Sequence, residues 1–196
     1  MPVIVLLRHG ETEWSRAGKH TSTTDLPLTP RGEDQARAAA PGLVRFDFGL
    51  VLSSPRQRAR HTADLAGLQA EVEPGLAEWD YGDYEGRRTV DIVAERGSWS
   101  LWEDGVPGGE TAEQVAARLD AVLDRARLVL EEGRDVCLVA HGHSLRVVAA
   151  RWLGLPAQDG KYFRLDTATL SQLGLEHGRP VLQAWNVPST EPEALQ

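Results

Sequence analysis

The chain is poor in cysteine, lysine, methionine and long apolar runs, and each shortage narrows what it can be. One cysteine, Cys137, in 196 residues excludes an internal disulfide and a cysteine-rich zinc site, and it fits a reducing cytoplasm. Lysine occurs only at Lys19 and Lys161, so 19 arginines carry nearly all the positive charge. No apolar run approaches the roughly 18 residues a membrane span needs. Met1 to Leu7 is apolar but short, lacks a basic flank and runs straight into Arg8-His9, so a secretory leader is not expected. There is no basic tract, and the net charge is -8 at pH 7, which makes nucleic acid a poor partner. No repeat or low-complexity stretch occurs. What remains is an ordinary globular composition, 41% hydrophobic and 26% charged, at a length that fits one domain with its own core.

Val3-Ile4-Val5-Leu6-Leu7, Leu50-Val51-Leu52 and Val136-Cys137-Leu138-Val139-Ala140 are continuous apolar runs rich in branched side chains, the pattern of strands covered on both faces. Weaker strand patterns lie at 169–175 and 181–187. Helices are expected from Thr29-Pro30 until Pro41 stops or kinks the chain, from Pro55 to Gly67, from Thr111 to Glu132, and from Ser144 toward Leu153. Residues 10–28 read as a long loop. Glycines, prolines, acids and three tryptophans between about 73 and 110 read as an insertion. Strands alternating with helices predict a three-layer α/β/α sandwich with a largely parallel central sheet, the insertion lying over the carboxyl ends of the strands. The domain is expected over 1–187, with 188–196 a polar, frayed tail.

In such sheets ligands bind beyond the strand carboxyl ends. Three strands here end in kindred chemistry: Arg8-His9, Ser53-Ser54 leading to Arg58, and His141-Gly142-His143. Two guanidiniums and two imidazoles in one small volume repel one another and resist desolvation, and a phosphoryl group resolves that conflict by accepting hydrogen bonds from all four. The same donors stabilise charge on the equatorial oxygens during phosphoryl transfer. A neutral imidazole held in one tautomer is a competent nucleophile toward phosphorus. Gly10, directly after His9, permits close backbone approach. Glu78, beside Trp79, is the candidate proton donor, with Asp80, Asp83 and Glu85 as alternatives that spacing does not separate. His143 reads equally as a helix cap or a backbone hydrogen-bonder. Trp14, Trp79, Trp99, Trp102 and His20 read either as the pocket mouth or as core.

Rival chemistries fit less of the chain. Gly142-His143-Ser144-Leu145-Arg146 follows a strand as a nucleophile elbow does, but places Arg146 where that tight turn needs glycine. A cysteine phosphatase needs arginine six positions after its nucleophile, where His143 follows Cys137. His141 and His143 alternate as metal ligands can, without clustered cysteines or carboxylates beside them. A non-catalytic phosphoester-binding or interaction module is the reading from another class, although every catalytic position holds a competent residue.

Leu7-Arg8-His9-Gly10-Glu11-Thr12 resembles the signature of the histidine phosphatase superfamily, the phosphoglycerate-mutase-like proteins. Ser53-Ser54-Pro55-Arg56-Gln57-Arg58, the block from Glu78 through Tyr81-Gly82 to Glu85-Gly86, and Ala140-His141-Gly142-His143 resemble its further blocks, in family order. The resemblance implies a phosphohistidine on His9, a phosphoryl pocket of Arg8, Arg58 and His141, and Glu78 as general acid, then base. It implies substrate contacts at Ser15, Thr21, Ser22 and Gly142. Ser15 stands where many members carry asparagine, and Ser22 where the family has the glycine of a Thr-Gly pair. Trp14-Ser15, the stretch from Glu78 to Gly86, Trp102-Glu103-Asp104-Gly105 and Gly108-Gly109-Glu110-Thr111 are similar to a phosphatase branch that includes mycobacterial-type acid phosphatases and yeast-type sedoheptulose bisphosphatases. A cofactor-dependent phosphoglycerate mutase is the alternative, usually with more chain after the acid block. The expectation is a metal-independent, cofactor-free phosphomonoesterase of the cytoplasm. Its partners would be a small phosphorylated sugar or acid and, at most, a second copy of the chain in a homodimer, with no nucleic acid or membrane.

Overall fold

Alternation along the first strand, β1 (Ile4–Arg8), organises the architecture seen in the computed structural model, which describes residues 1–188. Val3, Val5 and Leu7 pack on one face against Ala39 and Leu43 of α2 (Pro30–Leu43) and Ala59 and Ala63 of α3 (Gln57–Leu65). Ile4 and Leu6 pack on the other against Leu119 and Val122 of α6 (Ala112–Glu131) and Leu145 and Val148 of α7 (Gly142–Trp152). A strand buried on both faces has no polar alternation, hence the unbroken apolar run. This is the expected α/β/α sandwich.

The remaining strands are β2 (Phe48–Ser53), β3 (Glu71–Val72), β4 (Asp135–Ala140), β5 (Leu170–Glu176) and β6 (Arg179–Val187). They form one sheet in the order β3-β2-β4-β1-β5-β6. β3, β2, β4 and β1 run parallel to one another, whereas β5 lies antiparallel to both β1 and β6. A hairpin makes that edge: His177 (φ 51°) and Gly178 (φ 77°) are both left-handed, the backbone a tight two-residue turn needs.

Helix boundaries differ from expectation where local chemistry competes. α2 continues through Pro41 to Leu43, because the ring disrupts the helix only near its last turn and burial of Leu43 holds the end. α3 starts at Gln57, two residues beyond Pro55, its first amide capped by Asp25 Oδ1 at 2.9 Å. α7 starts at Gly142 rather than Ser144, with His141 as N-cap. Inside the expected loop, Thr12 and Ser15 form a capping box around one helical turn, α1 (Glu13–Arg16). The insertion contributes α4 (Thr89–Arg96), α5 (Leu101–Asp104) and two 3₁₀ turns, Pro74–Leu76 and Gly82–Tyr84. Residues 189–196, the rest of the expected tail, lie outside the described residues.

Cys137 is fully buried in β4, and burial pushes its thiol up to about 12, which leaves it inert. No helix among the described residues is long and apolar enough to cross a membrane.

Candidate active site

The parallel strands β2, β4 and β1 end side by side. The His9 amide donates to the Ala140 carbonyl and the Ser54 amide to the Val139 carbonyl, each at 2.9 Å. Directly after His9, the backbone of Gly10 passes so close to α2 that a Cβ there would lie 2.2 Å from the Gly32 carbonyl oxygen. Only glycine permits that approach.

His9 is 5% exposed, and its Nδ1 lies 2.7 Å from the Gly10 carbonyl oxygen. A carbonyl only accepts, so Nδ1 carries the proton and Nε2 keeps its lone pair. Burial, then the positive charges of Arg58 and Arg8, hold the imidazole well below its ordinary pKa, so it is neutral at pH 7. His141 lies next to it, ring centroids 5.1 Å apart. Its Nδ1 accepts from Arg58 Nε at 3.2 Å, which leaves the proton on Nε2, 2.6 Å from Ser54 Oγ. His141 too is held well below its ordinary pKa by burial and then by Arg58.

The four groups therefore converge, in two tiers. Arg8, His9, Ser15, Thr21, Glu78 and Gly142 line a cavity of about 260 Å³. Arg58, His141 and Ser22 are buried behind it. The Arg58 guanidinium donates to the carbonyls of Thr24, Thr21 and Ser22 at 3.0, 3.2 and 3.3 Å, so it ties the 21–24 loop to His141. Ser22 Oγ donates to Glu85 Oε2 at 2.6 Å, turning its hydroxyl away from the cavity. Burial alone would raise the Glu85 pKa, but the Ser22 and Thr24 donors outweigh it and hold the carboxyl below its ordinary value. Ser15 reaches the cavity wall, with its hydroxyl engaged in the capping box around α1. Arg8 Nη1 donates to the Leu165 carbonyl at 2.5 Å, whereas Arg8 Nε is buried without a partner. An unpaired guanidinium donor inside a protein is costly unless an anion completes it.

The structure separates the four candidate acids. Glu78 alone lines the cavity. Its Oε1 accepts the amides of Trp79 and Ser144 at 2.9 and 2.8 Å, and its Oε2 that of His143 at 3.0 Å, so it sits at the N-terminus of α7. Behind it, Arg118 donates to the carbonyls of Gly75, Ala77 and Glu78 and pairs with Glu110, which fixes the acid-bearing segment. Ser144 is fully buried and Trp79 is core. Of the five candidate mouth residues only His20 lines the cavity, where burial lowers it to about 4.

A model of the histidine phosphatase superfamily (branch 1) matches residues 4–188, the whole sheet and every site residue above. The chain belongs to that superfamily. This histidine phosphatase is 44% identical over 180 residues to an acid phosphatase of Mycobacterium tuberculosis, covering 89% of this chain and 87% of that one. It is 39% identical over 188 residues to sedoheptulose 1,7-bisphosphatase of Saccharomyces cerevisiae, covering 80% and 69% of the two chains. A solved structure of an open reading frame of Mycobacterium tuberculosis superposes with a TM-score of 0.92 at 41% identity, over 96% of this histidine phosphatase and 99% of that chain. The protein is an enzyme that hydrolyses phosphate esters.

Several cavity residues were not singled out from the sequence. Lys19 and Arg146 line it beside His143 and Tyr81. Arg146 is held by the carbonyls of Gly160 and Lys161 at 2.9 and 3.2 Å and stacks over Trp102 at 4.6 Å, with no carboxylate partner among the described residues. Arg118 was equally silent. Helical spacing from His143 is the one signal that points to Arg146, three residues on along α7.

Proposed function

We propose that this histidine phosphatase is a cytoplasmic, metal-independent phosphomonoesterase working through a phosphohistidine on His9. The free Nε2 lone pair of a buried neutral imidazole, set beside the unpartnered Arg8 Nε, carries the reading. In the first step Nε2 forms a bond to phosphorus as the ester P–O bond breaks, and Glu78 gives its proton to the departing alkoxide. In the second, water attacks phosphorus, Glu78 takes a water proton, and the N–P bond breaks to release phosphate and neutral His9. Arg8 and the amino end of α7 hold the phosphoryl oxygens while charge spreads over them. Arg58 and His141 act from behind, through the field they supply and the loop they fix. The lone buried thiol supports the cytoplasmic assignment.

Mixing enzyme with a 32P-labelled ester in excess EDTA and quenching within one turnover is expected to trap an alkali-stable, acid-labile phosphoryl group on His9. Label on any other residue, or dependence on added metal, would refute the mechanism.

Substrates are proposed to be sugar phosphates or phosphorylated acids. Arg146 and Lys19 offer positive charge on the alcohol side of the cavity, where a second anionic group of the substrate would meet them. In a screen of phosphorylated metabolites ranked by kcat/KM, esters bearing a second phosphate or carboxylate are expected at the top. Arg146→Met should cost those esters about tenfold, the value of one charge-assisted hydrogen bond. An unchanged ranking in that variant contradicts the assignment.

A further inference from the structure

His143 has no part in the two chemical steps, yet its environment is built rather than incidental. It lines the cavity. Its amide is anchored to Glu78 Oε2 at 3.0 Å, and its ring meets Trp102 at 5.2 Å and Tyr81 at 5.7 Å. Its Nδ1 lies 2.6 Å from the hydroxyl of Tyr81, a residue only 2% exposed. That hydroxyl also faces the Glu78 carboxylate, so Tyr81 ties the ring to the acid-bearing segment. With Nδ1 engaged by Tyr81, Nε2 is the ring nitrogen without a partner among the described residues. Burial above all, then Arg146, His20 and Arg8, hold the imidazole well below its ordinary pKa, so the ring is neutral.

We propose that His143, anchored by Tyr81, is a specificity residue whose Nε2 hydrogen-bonds a hydroxyl of the departing alcohol. A neutral ring nitrogen, unlike the arginines, suits an uncharged hydroxyl, which can give or take the shared proton. It stands beside the group that protonates the ester oxygen, so the oxygen it meets lies a carbon or two from the scissile bond. The chemical class selected is the phosphate ester of a polyol or sugar rather than of a simple alkyl or aryl alcohol. This rests on the phosphomonoesterase reading and adds a rule for which alcohols leave well.

The test compares sn-glycerol 3-phosphate with n-propyl phosphate, leaving groups that differ in their hydroxyls. His143→Leu is expected to lower the ratio of their kcat/KM values about tenfold, the worth of one neutral hydrogen bond. His143→Gln, whose amide reaches about where Nε2 does and can both donate and accept, should restore the ratio to within about threefold. Both esters slowing equally in His143→Leu would make the residue structural and overturn the proposal. Wild-type enzyme cleaving neither ester would instead refute the phosphomonoesterase reading.

Discussion

The His9→Ala enzyme is expected to hydrolyse phosphate monoesters at least on the order of 10⁴-fold more slowly than the wild type, which removes more than about 5 kcal/mol of transition-state stabilisation. The loss is large because the groups packed closest to His9 cannot replace it: Ser144 is buried and the His141 nitrogens are taken by Arg58 and Ser54. Folding should survive, since the His9 side chain contributes one bond to its neighbour's carbonyl and one ring contact. Loss of activity with an unchanged thermal midpoint therefore separates chemistry from stability, and substantial residual turnover would move the nucleophile elsewhere. The wild-type pH profile carries a linked expectation. Because the folded His9 pKa is depressed, the nucleophile stays unprotonated as pH falls through the ordinary histidine range. Apart from the ionisation of the ester itself, kcat/KM should fall only below that range. An inflection near pH 6.5 that persisted with a substrate whose phosphoryl group does not titrate in that range would contradict the neutral resting state.

What could be read without coordinates follows from what is local. Apolar runs marked the strands because burial on both faces leaves no other composition, and the polar residues that end β1, β2 and β4 marked the site because a parallel sheet gathers those ends. Spacing did not separate Glu78 from Asp80, Asp83 and Glu85. What separates them is α7, more than sixty residues on, whose first amides donate to the carboxylate at position 78. Ser22 was expected at the pocket because of its place in a motif, but its hydroxyl is claimed by Glu85 across the fold. Lys19 and His20 lie in a segment without periodicity. The bridge from Lys19 to Arg88 and the bond from the His20 amide to the Arg87 carbonyl hold them at the cavity.

The feared conflict of four cationic groups is also resolved more economically than composition implied. Two of them, His9 and His141, are neutral, and Arg58 is surrounded by loop carbonyls. Arg8 alone keeps a buried donor open, so the free site requires little anion to stay folded and still directs a phosphoryl group to one place.

Glu78→Gln is the second large expected effect, and it should depend on what leaves. A sugar alkoxide departs poorly without a proton, so loss of the acid is expected to slow its release by about 10²–10³, within the usual range for general acid catalysis. p-Nitrophenolate needs little protonation, so its release in the first step should slow by less than about tenfold. The second step differs, because water attacking phosphohistidine still needs a base. With p-nitrophenyl phosphate the variant should therefore release a rapid burst near one equivalent and then turn over slowly as phosphoenzyme accumulates. With a sugar phosphate no burst should precede the slow phase. The amide can keep the Trp79 and Ser144 bonds through Oε1 but sets its NH2 against the His143 N–H. A thermal midpoint measured alongside bounds that structural cost. Equal slowing of the first step for both esters would transfer the acid role from Glu78 to another group, and a missing burst with the nitrophenyl ester would deny the carboxylate its part in the second step.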